Sequence, residues 1–116
     1  MPRLLAMNRG AALFAAVTLA ASPPSSVQVR GDGGLSCATW LSTQTAYGYG
    51  NEWVWGFWTG ANAVSAAAGT TDGKVGRSTD NLGIVGEVRK ICEAEPSIHL
   101  FAAAARTFNR FRDAGL

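Results

Sequence analysis

Cys37 and Cys92 are the only cysteines in this chain of 116 residues, and both lie downstream of a segment built like an export signal. Arg3 and Arg9 supply a basic start, Ala11 to Ala21 an apolar stretch, and Ser22-Pro23-Pro24-Ser25-Ser26 a small-residue and proline exit. The apolar stretch has about half of the roughly 20 residues that span a bilayer, so a cleaved signal at 1–21 is expected in place of a membrane anchor. An exported chain meets an oxidising compartment, where a lone pair of cysteines forms a disulfide. Closing a loop of about 55 residues in this way stabilises a domain by about 4 kcal/mol, comparable with the whole net stability of a small domain.

Once Arg3 and Arg9 leave with the signal, eight basic and eight acidic residues remain, so the basic isoelectric point belongs to the precursor. The cations are scattered, with only Arg106, Arg110 and Arg112 near one another, which argues against a nucleic-acid partner. No further Cys and no clustered His accompany the cysteine pair, so neither a metal nor another cofactor is expected. Residues 22–34, rich in Ser, Pro, Gly and Val without periodicity, read as a flexible leader. Residues 35–116 read as one domain with a core of marginal size.

That domain shows no strand alternation and divides at glycine-rich breaks into four segments of helical period, so the expected fold is all-α, a small four-helix domain with one disulfide. Ser36 is placed to cap a short first helix carrying Cys37, Trp40 and Leu41 on one face, with Tyr47-Gly48-Tyr49-Gly50 as the turn that stops it. Asn51 would then cap a second helix to about Ala68, in which Trp53, Phe57, Gly60, Ala61, Val64 and Ala68 share the expected core arc. Gly56 and Gly60, one turn apart at the edge of that arc, are expected to let a neighbouring helix approach closely. Gly69 to Thr79 reads as a connection with a turn at Asp72-Gly73.

Thr79 or Asp80 caps a third helix whose Ile84, Val85, Val88, Ile91 and Cys92 face inward, so the two sulfurs can meet across the core. Pro96 ends that helix, and a fourth, from Ser97 to a stop at Gly115, lines one side with Phe101, Ala104, Ala105, Phe108 and Phe111. His99, the only histidine, falls on its polar side with Arg106, Arg110 and Asp113, and no candidate nucleophile lies near it in sequence. No Gly-x-Ser-x-Gly turn occurs, and Glu87, Glu93 and Glu95 read as a charged helix face, so no catalytic residue is assigned and an enzyme is not expected.

Trp53, Trp55, Phe57 and Trp58 fall within six residues, and one helix face cannot hold them all. By angular count Trp55 lies almost opposite the core arc and Trp58 on its flank, so these two, with Tyr47 and Tyr49 of the preceding turn, are the expected partner-binding residues.

The run Ser36-Cys37-Ala38-Thr39-Trp40-Leu41, the segment Trp53-Val54-Trp55-Gly56-Phe57-Trp58-Thr59-Gly60 and the stretch Val88 to Cys92 before Pro96 together resemble the HdeA/HdeB group of small periplasmic helical proteins. The resemblance covers about Ser36 to Phe111 and implies a short all-α domain whose disulfide joins Cys37 to Cys92. It further implies a periplasmic location and, for some members, an acid-activated chaperone that dimerises at neutral pH, with protein clients as partners and no membrane role after cleavage. The periplasmic immunity proteins that neutralise type VI secretion amidase effectors have a similar look. They provide the alternative expectation, a rigid inhibitor presenting Trp55 and the Gly69 to Thr79 loop to a toxin.

Overall fold

A computed structural model describes residues 27–116; the expected export signal and the first part of the expected leader lie outside the described residues. The described chain is a 3-10 turn, Gly31–Gly34, followed by four α-helices: α1 (Cys37–Trp40), α2 (Gln44–Ala67), α3 (Asn81–Ala94) and α4 (Leu100–Ala114). No strand occurs among the described residues; a single antiparallel bridge pairs Ser36 with His99. Its hydrogen bonds, Cys37 N–H to Ile98 C=O at 2.7 Å and Leu100 N–H to Leu35 C=O at 2.9 Å, tie the start of α1 to the start of α4.

The Cys37–Cys92 disulfide joins α1 to α3 with the two Cα atoms 4.9 Å apart. Both cysteines are fully buried, because each stands on the apolar face of its helix. Around them pack Trp40, Val54, Trp58, Ile84, Val85, Val88, Leu100, Ala103, Ala104, Phe108 and Phe111, with Val75 from the long connection. Side-chain caps start three helices at the N–H three residues on: Ser36 for α1, Thr43 for α2 and Asp80 for α3. Gly115, in the left-handed conformation at φ 71°, stops α4 as expected.

The second helix departs from the sequence reading in two ways. It begins at Gln44 instead of Asn51, so Tyr47-Gly48-Tyr49-Gly50 is helix and not a turn. The Thr43 hydroxyl accepts from Ala46 N–H and opens the helix early. Gly48 and Gly50 keep negative φ, and Gly50 is there for space, since a Cβ on it would fall inside the Trp40 indole. The core face is also rotated from the expected arc: Gly50, Asn51, Val54 and Trp58 are buried, whereas Gly60 and Ala68 are exposed and Val64 is 70% exposed. At about 36 Å against about 21 Å for α3, α2 is the longest helix, and its last turns are tied to the connection through Asn62 and Ser65.

Gly56 and Gly60 admit no neighbouring helix; both are exposed, and a Cβ on either would meet nothing within 4 Å. The part of the expected flexible leader that is described is folded: Gly33 is buried, and the 3-10 turn packs on α2 and α4. In α4 the buried set is Leu100, Ala103, Ala104, Thr107, Phe108 and Phe111, with Phe101 half-buried at its edge.

Candidate functional site

The aromatic residues expected to meet a partner are for the most part used within the fold. An indole has one N–H donor and a large apolar body, so a buried indole needs a single acceptor at its rim. All four tryptophans find one on a backbone carbonyl: Trp40 on Tyr47 (3.1 Å), Trp53 on Arg30 (2.8 Å), Trp55 on Asn81 (3.0 Å) and Trp58 on Val75 (2.7 Å). Trp53, Trp55 and Trp58 thereby clamp three separate segments onto α2: the N-terminal turn, the start of α3 and the long connection.

Trp58, expected on a flank, is a core residue at 4% exposure, edge-on to Phe108 at 5.2 Å and to Phe111 at 5.5 Å. Trp55, expected outside, is half-buried against the core. Tyr47 is half-buried, stacked on Trp40 at 5.0 Å and covered by the Arg89 guanidinium at 5.2 Å from its ring centre. Of the four expected contact residues only Tyr49 stands free, at 68% exposure, beside Gln44, Thr45, Gly48 and Glu52. Glu52 is the one charged residue in the 24 of α2, and Val64 extends this sparsely charged outer face.

The signal for a structural role was present in the chain. Gly31, Gly33 and Gly76 precede or follow the tryptophans at a distance in sequence, and each comes to lie against an indole: Gly31 and Gly33 against Trp53, Gly76 against Trp58. The connection itself is pinned by Asn62, whose side-chain oxygen accepts from Val75 N–H at 2.9 Å and whose amide donates to Val75 C=O at 3.0 Å. An Asp72 carboxylate accepts from Lys74 N–H and pairs with Arg77. The backbone bond to Lys74 leads in holding its pKa below the usual value, against a smaller desolvation effect.

Charge is concentrated along the α3–α4 seam. Glu87 accepts from Lys90 Nζ and Arg110 Nη2, each at 2.7 Å, and these bonds, Lys90 first, hold its carboxyl below the ordinary carboxylate range. Arg106 pairs with Glu95 at the end of the same seam. Ile91 and Ala94 lie between these pairs along a shallow groove. Arg89 bonds Glu93, which raises the guanidinium pKa further. His99 is exposed at the start of α4, and among the described residues no group of three or more His, Cys, Asp or Glu is placed to hold a metal ion.

No family model, characterised protein or solved structure matches this chain. Its site must therefore be read from its own geometry. Two surfaces stand out: the outer face of α2 around Tyr49, and an aromatic shelf made by Trp53, Phe57 and Phe101. In the shelf, Trp53 and Phe57 stack at 5.5 Å, and Phe101 meets them edge-on at 6.3 and 5.7 Å.

Proposed function

We propose that this chain is a periplasmic, non-enzymatic protein-binding domain that acts as an acid-stress chaperone of the HdeA kind. The observation that carries the reading is the position of Glu87 between Lys90 on its own helix and Arg110 on α4. Protonation of that carboxyl converts an attractive triad into two cations facing each other across the α3–α4 seam. A lowered folded-state pKa means that the pairing contributes stability above the unfolded value and loses it as pH falls through the folded value.

Exposed ion pairs are screened and contribute little singly, so acid removes from the six pairs of the described residues a sum of small contributions. That loss narrows the margin of a small domain, and the eight basic residues then repel without compensation. Acid would loosen the domain and expose Trp58, Phe108 and Phe111 to clients, with the disulfide keeping it compact. The test is aggregation of a model client with the pure protein at about pH 2 to 3 and at pH 7; absence of protection in acid refutes the reading.

The outer face of α2, with Tyr49, the open Gly56 and Gly60 and Glu52 as its one charge, favours a second reading at neutral pH. There it would serve a homodimer, or an amidase toxin to which this chain is the immunity protein. Sedimentation at neutral pH with and without a neighbouring toxin separates those two.

A further inference from the structure

The turn that precedes α1 is attached to the aromatic shelf in an unusual way. Val27 is 56% exposed, Leu35 is 41% exposed, and Gly33 is the one buried residue of the turn. At Trp53 it is the glycine backbone of the turn that rests on the ring, while Val29 is half-buried. Gly33 lies flat on Trp53, where any Cβ would enter the ring, and Gly31, at φ 72°, passes the indole edge. Among the described residues one hydrogen bond crosses from residues 27–34 to the helices, the 2.8 Å bond from Trp53 Nε1 to Arg30 C=O. The anchor that follows, Leu35 C=O accepting from Leu100 N–H, lies beyond the turn and is independent of it.

A segment whose one fully buried residue is a glycine, and which makes one hydrogen bond to its support, belongs to the low-stability end of a fold and opens locally at small cost. Underneath it, Trp53, Phe57 and Phe101 are already stacked and edge-packed among themselves, with Trp53 and Phe57 on α2 and Phe101 on α4. The ring contacts of the shelf are made without the strap. We propose that residues 27–34 are an internal pseudo-ligand, and that the shelf beneath them is a peptide-binding site for extended segments of other chains. The strap shows what such a segment needs: a carbonyl for the Trp53 N–H and, three residues later, glycine in van der Waals contact with the indole face. The inference adds a further surface to the protein-binding role proposed above and rests on that role, but its recognition is of small-residue backbone at neutral pH and needs no acid.

While the strap is tethered it competes at an effective concentration in the millimolar range, which masks the shelf from weak ligands. The probe is a labelled peptide of residues 27–35, Val-Gln-Val-Arg-Gly-Asp-Gly-Gly-Leu, followed by fluorescence anisotropy at pH 7. Gly33→Val displaces the tethered strap, whereas Gly34→Val, whose Cβ has only Val29 C=O near it at 4.0 Å, leaves it seated. The peptide should bind the Gly33→Val protein about tenfold or more tightly than it binds wild type or Gly34→Val. A peptide carrying Gly33→Val should not bind at all. Circular dichroism and a thiol assay confirm that each variant is folded and oxidised. Should Gly33→Val fail to fold, Gly31→Val, strained at φ 72° and with its Cβ 3.3 Å from Trp53 Cδ1, replaces it. Equal affinity for wild type and the strap-displaced variant, or no binding to a folded variant, overturns the proposal. Neither result depends on a client or on acid, so the chaperone assay stands or falls separately.

Discussion

Trp58→Ala separates a clamp in the core from a contact residue on the surface. The substitution removes a side chain at 4% exposure, two edge contacts at 5.2 and 5.5 Å, and the 2.7 Å bond to Val75 C=O. Burial of about 200 Å² of indole at about 25 cal/mol per Å² gives about 5 kcal/mol, and measured Trp→Ala losses in cores run at about 3–5 kcal/mol. Since a domain of about 90 residues has roughly 5–13 kcal/mol in all, the variant should sit near the edge of unfolding. Trp58→Phe should lose only about 1 kcal/mol beyond its smaller ring, because Val75 C=O keeps its bond from the Asn62 amide. Urea unfolding followed by far-UV circular dichroism reads both. A midpoint for Trp58→Ala within about 0.5 kcal/mol of wild type would mean that the indole lies at the surface, and the clamp argument would be wrong.

Reducing the disulfide leaves the packing of the two buried cysteines in place and frees a loop with a sequence separation of 55, so it should cost about 4 kcal/mol. Calorimetry with and without reductant should show a drop in Tm of roughly 15–30 °C; a shift of a few degrees would contradict the loop argument. Gly50→Ala and Gly56→Ala should move in opposite directions. The first drives a Cβ into the Trp40 indole and should lose about 1–3 kcal/mol, while the second fills open space on a helix and should gain about 0.5–1 kcal/mol, both read by thermal melts. Glu87→Gln should cost about 1 kcal/mol at pH 7, and that cost should shrink as pH falls below the ordinary carboxylate range, because the lowered pKa makes the pairing a contribution that acid removes. A gap that stays constant from pH 7 to pH 2 would remove Glu87 from the acid response.

Much of the third and fourth helices was legible in the chain. Asp80 caps α3, Ile84, Val85, Val88 and Cys92 turn inward, and Gly115 ends α4, because these positions combine a strong period with local capping or stop chemistry. The second helix was misread because its apolar residues nearly encircle it. Trp53 and Phe57 fit one arc, Val54 and Trp58 another, and Trp55 a third, so periodicity alone does not choose the core side. The glycines misled for a related reason. Gly56 and Gly60 have the spacing of a packing motif yet face open space, while Gly33, Gly50 and Gly76, with no such spacing, are the ones pressed against indoles. Sequence spacing reports neighbours along a helix and is silent on which distant ring arrives from another segment.

Two cysteines, their inward positions on periodic helices and the absence of alternating strands were enough to determine, from the chain alone, an all-α domain closed by one bridge between its first and third helices. These are properties of local geometry and of a single covalent pairing, so no distant contact is needed to decide them. The fate of the aromatics was decided only by tertiary structure. Whether an indole is a contact surface or a clamp depends on which carbonyl stands within about 3 Å of its N–H, and Arg30, Asn81 and Val75 reach Trp53, Trp55 and Trp58 from 17 to 26 residues away.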